Sequence, residues 1–585
     1  MRTLPLRRET LLPDRNIQLY PELGFIPMPL AASTPPASSA RRVTLYRNGS
    51  VYSPADPFAT AMLVDGGTVA WVGSEQAATS IADSTMDVVD LDGALITPGF
   101  VDSHIHITET GIADQTLDLA GMASLAELLD AVAEAARSGS GMILGHGWDE
   151  SHWPEGRAPT GDELDRASGS RIVYLSRIDV HSAVVSGTLA AALSLAEFDG
   201  WYGNGLVVRH ALFMAREASR TFRNGEREHF QRCALSRAAS RGYVALTEMS
   251  APHVGSPEDL QLLLAHDGEA EANGGALRYP KVLPYWGEAA VDVEDARRIL
   301  NDVGVPVLGL AGDLNIDGSI GSHTALLRED YADEPGQRGS LYLDADLVAV
   351  HLAVTAELGI QGGFHIIGDA AMDIAIEGLH KAAERVGLDR LRSARHRFEH
   401  VEMLTPEAIK QLSHFAVTGS VQPAFDALWG TDNLYDLRLG AERARAMNPF
   451  ASMLAAGVPL ALGTDAPVTA LDPWAAVRAC LEHSNPKERI SARAAFLAHT
   501  RAGWRAVRDE DPLSGQLAPG APATFAVWEV EGLMVQTPDA RVQSWSTDPR
   551  AGTPLLPALD NGQEPRCLQT VRDGHALYKV EEFAS

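Results

Sequence analysis

The stretch FVDSHIHITET, residues 100–110, closes an apolar run with His104 and His106 one residue apart. Side chains two positions apart on a strand project to the same side, so both imidazoles face one way, as ligands of a shared metal ion must. With 19 histidines in 585 residues, one such pair arises readily by chance and decides nothing alone. Three further stretches add weight. GGFHIIGDAA and HRFEHVEML end apolar runs with His365 and His400, and VPLALGTDAPVTALDPW ends one with Asp465. Four imidazoles and a carboxylate form the nitrogen and oxygen set preferred by a borderline divalent ion such as zinc. Such an ion lowers the pKa of bound water toward about 7 and polarises a carbonyl, which is hydrolytic chemistry. Asp465 is then a candidate general base for that water, with His400 as its catalytic neighbour.

These donors are far apart in sequence, so the fold must gather them. Between about 98 and 512, strand-length apolar runs alternate with helical patterns. Strands are expected at 100–107, 242–248, 281–286, 307–314, 361–366, 396–401, 416–422 and 458–465, an α/β pattern pointing to a (β/α)8 TIM-like barrel. Every donor then stands at a carboxyl strand end, where barrel enzymes place their sites. Helix starts support the alternation: Ser124 and Glu127 suggest a capping box, and Thr405 precedes Pro406. The stretch 108–240 exceeds one crossover and reads as an elaborated first loop, with strand-like runs in MILGHGW and RIVYLS.

Residues 41–97 are short β segments with turn signals at Asn48-Gly49 and Asp65-Gly66-Gly67, and similar texture returns over 513–585. Small strand groups need partners, so the two ends should combine into one composite β-sandwich domain with the barrel inserted in it. Residues 1–40, rich in Pro, Ser and Ala toward their end, read as a poorly ordered extension. No internal repeat is visible.

Composition excludes several classes. A net charge of −29 with no basic cluster argues against nucleic acid and anionic membranes. No apolar stretch approaches a membrane span, and charges near the start replace the apolar core of a secretory signal, so a cytoplasmic protein is expected. Cys233, Cys480 and Cys567 are too dispersed for a disulfide framework or thiolate zinc site. Nothing specifies an interface, although a homo-oligomer is possible.

The chain resembles the amidohydrolase superfamily, in the branch that includes N-substituted formamide deformylases. ITPGFVDSHIH, GHGWDESHWPEGRAPTGDELD, DGSIGSHTALL, HIIGDAAMD, FEHVEM, LGTDAPVTALDPW and GQLAPGAPATFAVW carry the resemblance in order over residues 43–582. It implies a metal-dependent hydrolase of amide-like C–N bonds, with His104, His106, His365, His400 and Asp465 at the metal. It also suggests a substrate pocket containing Trp148, Asp149 and His181, and His323 where relatives commonly have arginine.

One position departs from the family. Many relatives carry a carboxylated lysine on the fourth strand; here Asp313 stands there, and none of the five lysines (Lys281, Lys381, Lys410, Lys487, Lys579) occupies that strand. No carboxylated lysine is therefore expected. Aspartate is shorter by several bonds, so one ion held by His104, His106, Asp465 and either His365 or His400 is the favoured arrangement. Two ions bridged by Glu248 or a displaced Asp313 are the alternative, and either carboxylate could instead brace a ligand histidine. The expected reaction is hydrolysis of a small amide, formamide or cyclic amide. The alternatives are a deaminase of heterocyclic amines, a non-hydrolytic metalloenzyme, and, more remotely, a non-catalytic scaffold.

Overall fold

The computed structural model describes residues 43–223, 225–272, 277–536, 545–546, 554–560 and 563–583. The extension expected over residues 1–40 lies outside the described residues.

Eight strands overlap the eight expected runs, β4 and β8 being much shorter than expected: β1 (Phe100–Ile105), β2 (Tyr243–Ser250), β3 (Lys281–Trp286), β4 (Gly309–Leu310), β5 (Gln361–Ile366), β6 (Arg397–His400), β7 (Thr418–Val421) and β8 (Leu460–Leu462). Strand β2 lies parallel between β1 and β3, and β4 to β8 pair parallel in succession. Between β3 and β4, Leu308 N–H donates to the Pro284 carbonyl. Past β8, Asp465 N–H donates to the His104 carbonyl and His106 N–H to that of Ala466, joining the last strand to the first. The result is a TIM-barrel-type α/β fold. Residues of β2 are buried on both faces, as strands covered by helices require.

Helices Val293–Val303, Ala345–Leu358 and Pro406–His414 alternate with these strands. Asp292, Asp344 and Thr405 start them by accepting a backbone N–H from the first turn, and Gly304 and Gly359 stop the first two in left-handed conformation. At the foot of β1, Phe100 packs edge-on against Trp474 at 5.0 Å and Trp528 at 5.8 Å.

Strands from both chain ends share one sheet, in the order Ser50–Val51, Leu95–Pro98, Phe525–Glu529, Arg566–Arg572, His575–Lys579. A four-stranded sheet of residues 43–90 contributes to the same apolar cluster, where Tyr46 meets Phe525 edge-on at 5.3 Å. The Asp65-Gly66-Gly67 signal does turn a hairpin, from Ala61–Asp65 to Thr68–Gly73. Asn48-Gly49 does not. Val43–Arg47 pairs with Ala61–Asp65 and Asp87–Asp90, whereas Ser50–Val51 pairs with Leu95–Pro98, so this turn moves the chain between sheets. Glycine is required there, because a Cβ at Gly49 would stand 2.5 Å from the Ala94 carbonyl oxygen.

The elaborated first loop folds into a lobe with its own five-stranded sheet: Leu206–Val208, Ser182–Val185, Val173–Arg177, Ile143–Trp148, Leu117–Asp118. Helix Leu125–Ser138 starts as expected at Ser124, but Glu127 receives the N–H of Ala123 rather than that of Ser124. The complete capping box lies at Thr160 and Glu163.

Candidate metal centre

All five residues expected at the metal come together at the carboxyl ends of the strands. Asp465 Oδ1 lies 3.4 Å from His104 Nε2 and 3.2 Å from His106 Nε2. The ring of His400 is 4.9 Å from that of His104 and 4.4 Å from that of His365. Both His400 and Asp465 adopt left-handed backbone, with φ of 70° and 55°. Non-glycine residues reach this region at a cost of roughly 1–2 kcal/mol, strain characteristic of functional positions.

Asp313 joins the group, so chain length does not keep it away. Its Oδ2 is 3.2 Å from His106 Nε2, and its Oδ1 is 3.5 Å from His104 Nε2 and 3.8 Å from His365 Nδ1. The cause lies in the backbone: the expected strand 307–314 ends at Leu310, and a tight turn at Gly312 brings the short side chain into reach. Gly312 has φ of 96°, and a Cβ there would stand 2.7 Å from Met249 Sδ, so the turn requires glycine. Three overlapping groups have ligand atoms within 4.8 Å of one another: His104, His106 and Asp313; His104, His400 and Asp465; Asp313, His365 and His400.

The surrounding hydrogen bonds aim a free ring nitrogen inward from three of the histidines. His104 Nδ1 donates to Glu399 Oε2 at 2.9 Å, His400 Nδ1 to Gln422 Oε1 at 2.9 Å, and His365 Nε2 to the Gly318 carbonyl at 3.3 Å. Among the described residues no hydrogen bond satisfies the buried His104 Nε2, His365 Nδ1, His400 Nε2 or Asp313 Oδ1. Buried polar atoms left this way are costly in a purely structural role and are what a metal's ligands look like. The donor set therefore fits a divalent ion.

Electrostatics agree. Burial opposes charging His106, yet Asp313 and Asp465 outweigh it and hold its pKa well above the ordinary value. Burial also opposes ionising Asp313, and the adjacent His106 and His365 reverse this and pull its pKa well below the usual range. The carboxylates thus build a pocket that stabilises positive charge. His400, facing His365 and His104 in a fully buried position, is driven the other way and kept neutral, as a ligand must be.

Glu399, which sequence reasoning did not single out, holds this geometry. Burial opposes its charge, but Arg397 Nε at 2.6 Å and His104 overcome that, bringing its pKa to about 2. The signal is present in RFEH, where strand period places Arg397 and Glu399 on one side, but it reads equally as an ordinary ion pair between neighbours on one strand. Asp102 is a second such residue. It accepts from the N–H of His104 and of Thr464 at 3.1 and 3.0 Å, tying the end of β1 to the segment that carries Asp465.

The remaining expected residues separate. Glu248 belongs to none of the three ligand groups; its oxygens accept from Ile107 N–H at 2.7 Å and the Ser250 hydroxyl at 3.0 Å, bracing the helix that follows His106. His181 does reach the centre, its ring 5.0 Å from that of His365. Trp148 instead lies in the lobe's apolar core, its indole N–H donating to the Leu175 carbonyl at 2.9 Å. Asp149 caps residues 150–152 and pairs with Arg177 at 2.8 Å. His323 turns to Asp333 at 3.1 Å and packs on Tyr331, away from the ligands. Local partners in the lobe and in the 319–333 loop capture these three before any substrate could.

With the geometry established, similarity to known proteins carries weight. The sequence profile of the amidohydrolase family matches residues 87–578. The chain belongs to the amidohydrolase family. This amidohydrolase is 29% identical over 533 residues to Protein LONG AFTER FAR-RED 3 of Arabidopsis thaliana, covering 85% of this chain and 89% of that protein. It is 30% identical over 141 residues to the N-substituted formamide deformylase of Arthrobacter pascens, covering 23% and 26% respectively. Among solved structures, an uncharacterized metal-dependent hydrolase from Pyrococcus furiosus superposes with a TM-score of 0.62 at 26% identity, covering 83% of this chain and 98% of that one. Family membership makes the protein a hydrolytic enzyme acting on carbon–nitrogen bonds. No helix among the described residues is long and apolar enough to cross a membrane.

Proposed function

We propose that this amidohydrolase cleaves the C–N bond of a small amide, formamide or cyclic amide with water, at a divalent centre, zinc by its donor set. The scaffold we infer is a (β/α)8 barrel beside a composite β-sandwich from both chain ends, in a cytoplasmic protein that takes small molecules rather than nucleic acid. The reading rests above all on the inward-facing ring nitrogens of His104, His365 and His400, buried and without a hydrogen bond among the described residues.

When bound, the ion lowers the pKa of water toward about 7 and draws electron density from the scissile carbonyl. Asp465, beside His104 and His106, accepts the proton of the attacking water and donates it to the leaving nitrogen, which departs as a neutral amine. Glu399 keeps His104 Nδ1 protonated, so that Nε2 stays free to bind.

One ion would be held by His104, His106, Asp465 and either His365 or His400, with the other histidine orienting water or substrate. Asp313 supports a second reading. Its two oxygens address His106 on one side and His365 on the other, which suits a carboxylate bridging two ions in the role relatives give to a carboxylated lysine. Metal analysis alongside an assay for formate or carboxylate release from a panel of formamides, linear amides and lactams tests the proposal. Metal-loaded protein should release carboxylate or formate; release of ammonia from amino-substituted heterocycles alone would replace this reading with a deaminase.

A further inference from the structure

A cavity of about 460 Å³ runs from His106 and Asp313 into the lobe, within the size range of small-molecule sites. Val180, Leu212, Phe213, Val254 and Leu314 give it apolar walls. The charged residues lining it are not equivalent. Arg209 is neutralised, its Nε 2.7 Å from Asp199 Oδ2. Glu109 is engaged through both oxygens by Arg220, one contact being Nε to Oε1 at 2.8 Å.

Arg216 differs from both. Its guanidinium donates to the main-chain carbonyls of His253, at 3.3 Å, and Val180, which fix its direction without cancelling its charge. No ion pair to Arg216 occurs among the described residues, and the adjoining Glu109 is already shared with Arg220. A guanidinium that lines a largely apolar-walled cavity with no ion pair of its own, its neighbouring carboxylate Glu109 being held by Arg220, is completed by an anion from outside, and its planar fork suits a carboxylate.

We propose that Arg216 receives an anionic group of the substrate, so that the natural substrate is an amide carrying a carboxylate beside an apolar body. The inference rests on the hydrolase reading for the scissile bond and adds the recognition of the rest of the molecule.

Calorimetric binding of phenylacetate and phenylacetamide to the metal-loaded protein tests it, because the pair differs in charge at nearly constant shape. Phenylacetate should bind roughly 10- to 100-fold more tightly, the range for a hydrogen bond to a charged group. That preference should vanish in Arg216→Met and survive in part in Arg216→Lys, with metal content unchanged. If Arg216→Met does not fold, Arg216→Gln serves the same comparison. No preference in the wild type overturns the proposal. A preference undiminished in the neutral variant also overturns it, since the metal then holds the carboxylate. Hydrolysis of N-formylphenylalanine against its carboxamide separates the two readings. Turnover of neither, with the Arg216-dependent preference intact, removes N-formyl amides from the proposed substrates and leaves the anion site standing; faster turnover of the carboxamide overturns the anion site.

Discussion

The rim of the strands and the lobe above it solve different problems in different ways. At the rim, candidate ligand groups from the ends of β1, β5 and β6 and the segments following β4 and β8 form three overlapping groups, each with ligand atoms within 4.8 Å of one another, and each side chain is placed by a strand end or by the turn just after one. In the lobe, one wall of the cavity belongs to helix Arg209–Ser219, and Leu212, Phe213 and Arg216 reach the cavity only because a short five-stranded sheet holds that helix in place. On the proposed reading, chemistry is assigned to residue type at the rim and specificity to the shape of an insertion. The two should respond separately to mutation.

The largest effect is expected at the rim. His104→Ala together with His106→Ala should remove bound metal and reduce hydrolysis to background while circular dichroism retains the α/β signature. Next comes Asp465→Asn, which should lower kcat by at least about 100-fold, the scale of general acid–base catalysis. Turnover near wild type in that variant would take Asp465 out of the proton path. Glu399→Gln should weaken metal affinity by roughly 10- to 100-fold, because a neutral amide behind His104 Nδ1 no longer supplies the charge that raises the ring's basicity. It should also cost about 3–5 kcal/mol in urea unfolding, because Arg397 loses its buried counter-charge.

In the lobe the ordering should reverse, with stability affected before chemistry. Trp148→Ala should cost about 3–5 kcal/mol through its cavity, leaving metal stoichiometry at the wild-type value. Metal loss from that variant would show that the two regions are coupled. The smallest effect is expected for His323→Gln, which breaks a partly exposed contact with Asp333 and should change kcat/KM less than twofold on any substrate.

The same contrast explains what could be read from sequence. The convergence of His104, His106, His365, His400 and Asp465 is legible because strand period and strand ends fix where a side chain points, and candidate metal ligands are drawn from few residue types. Bond count leaves Asp313 only as an alternative bridging or bracing residue, since a turn at Gly312 that ends β4 early is not written in the apolar pattern around it. Glu399 was passed over because a buried carboxylate beside an arginine looks the same whether it braces a ligand or merely balances charge. Trp148 and Asp149 were expected in the pocket, but aromatic and acidic residues in a loop serve packing and capping as readily, and here they do. The Asn48-Gly49 turn shows the same limit, for a hairpin signal specifies a reversal and not which strands pair afterwards.

The most direct test of the central claim is elemental analysis of the purified chain after equilibration with zinc and removal of unbound ion. The account predicts one or two ions per chain, falling to none when His104 and His106 are both replaced by alanine. A wild-type chain that retains no divalent ion, or a double variant that retains as much as the wild type, contradicts it.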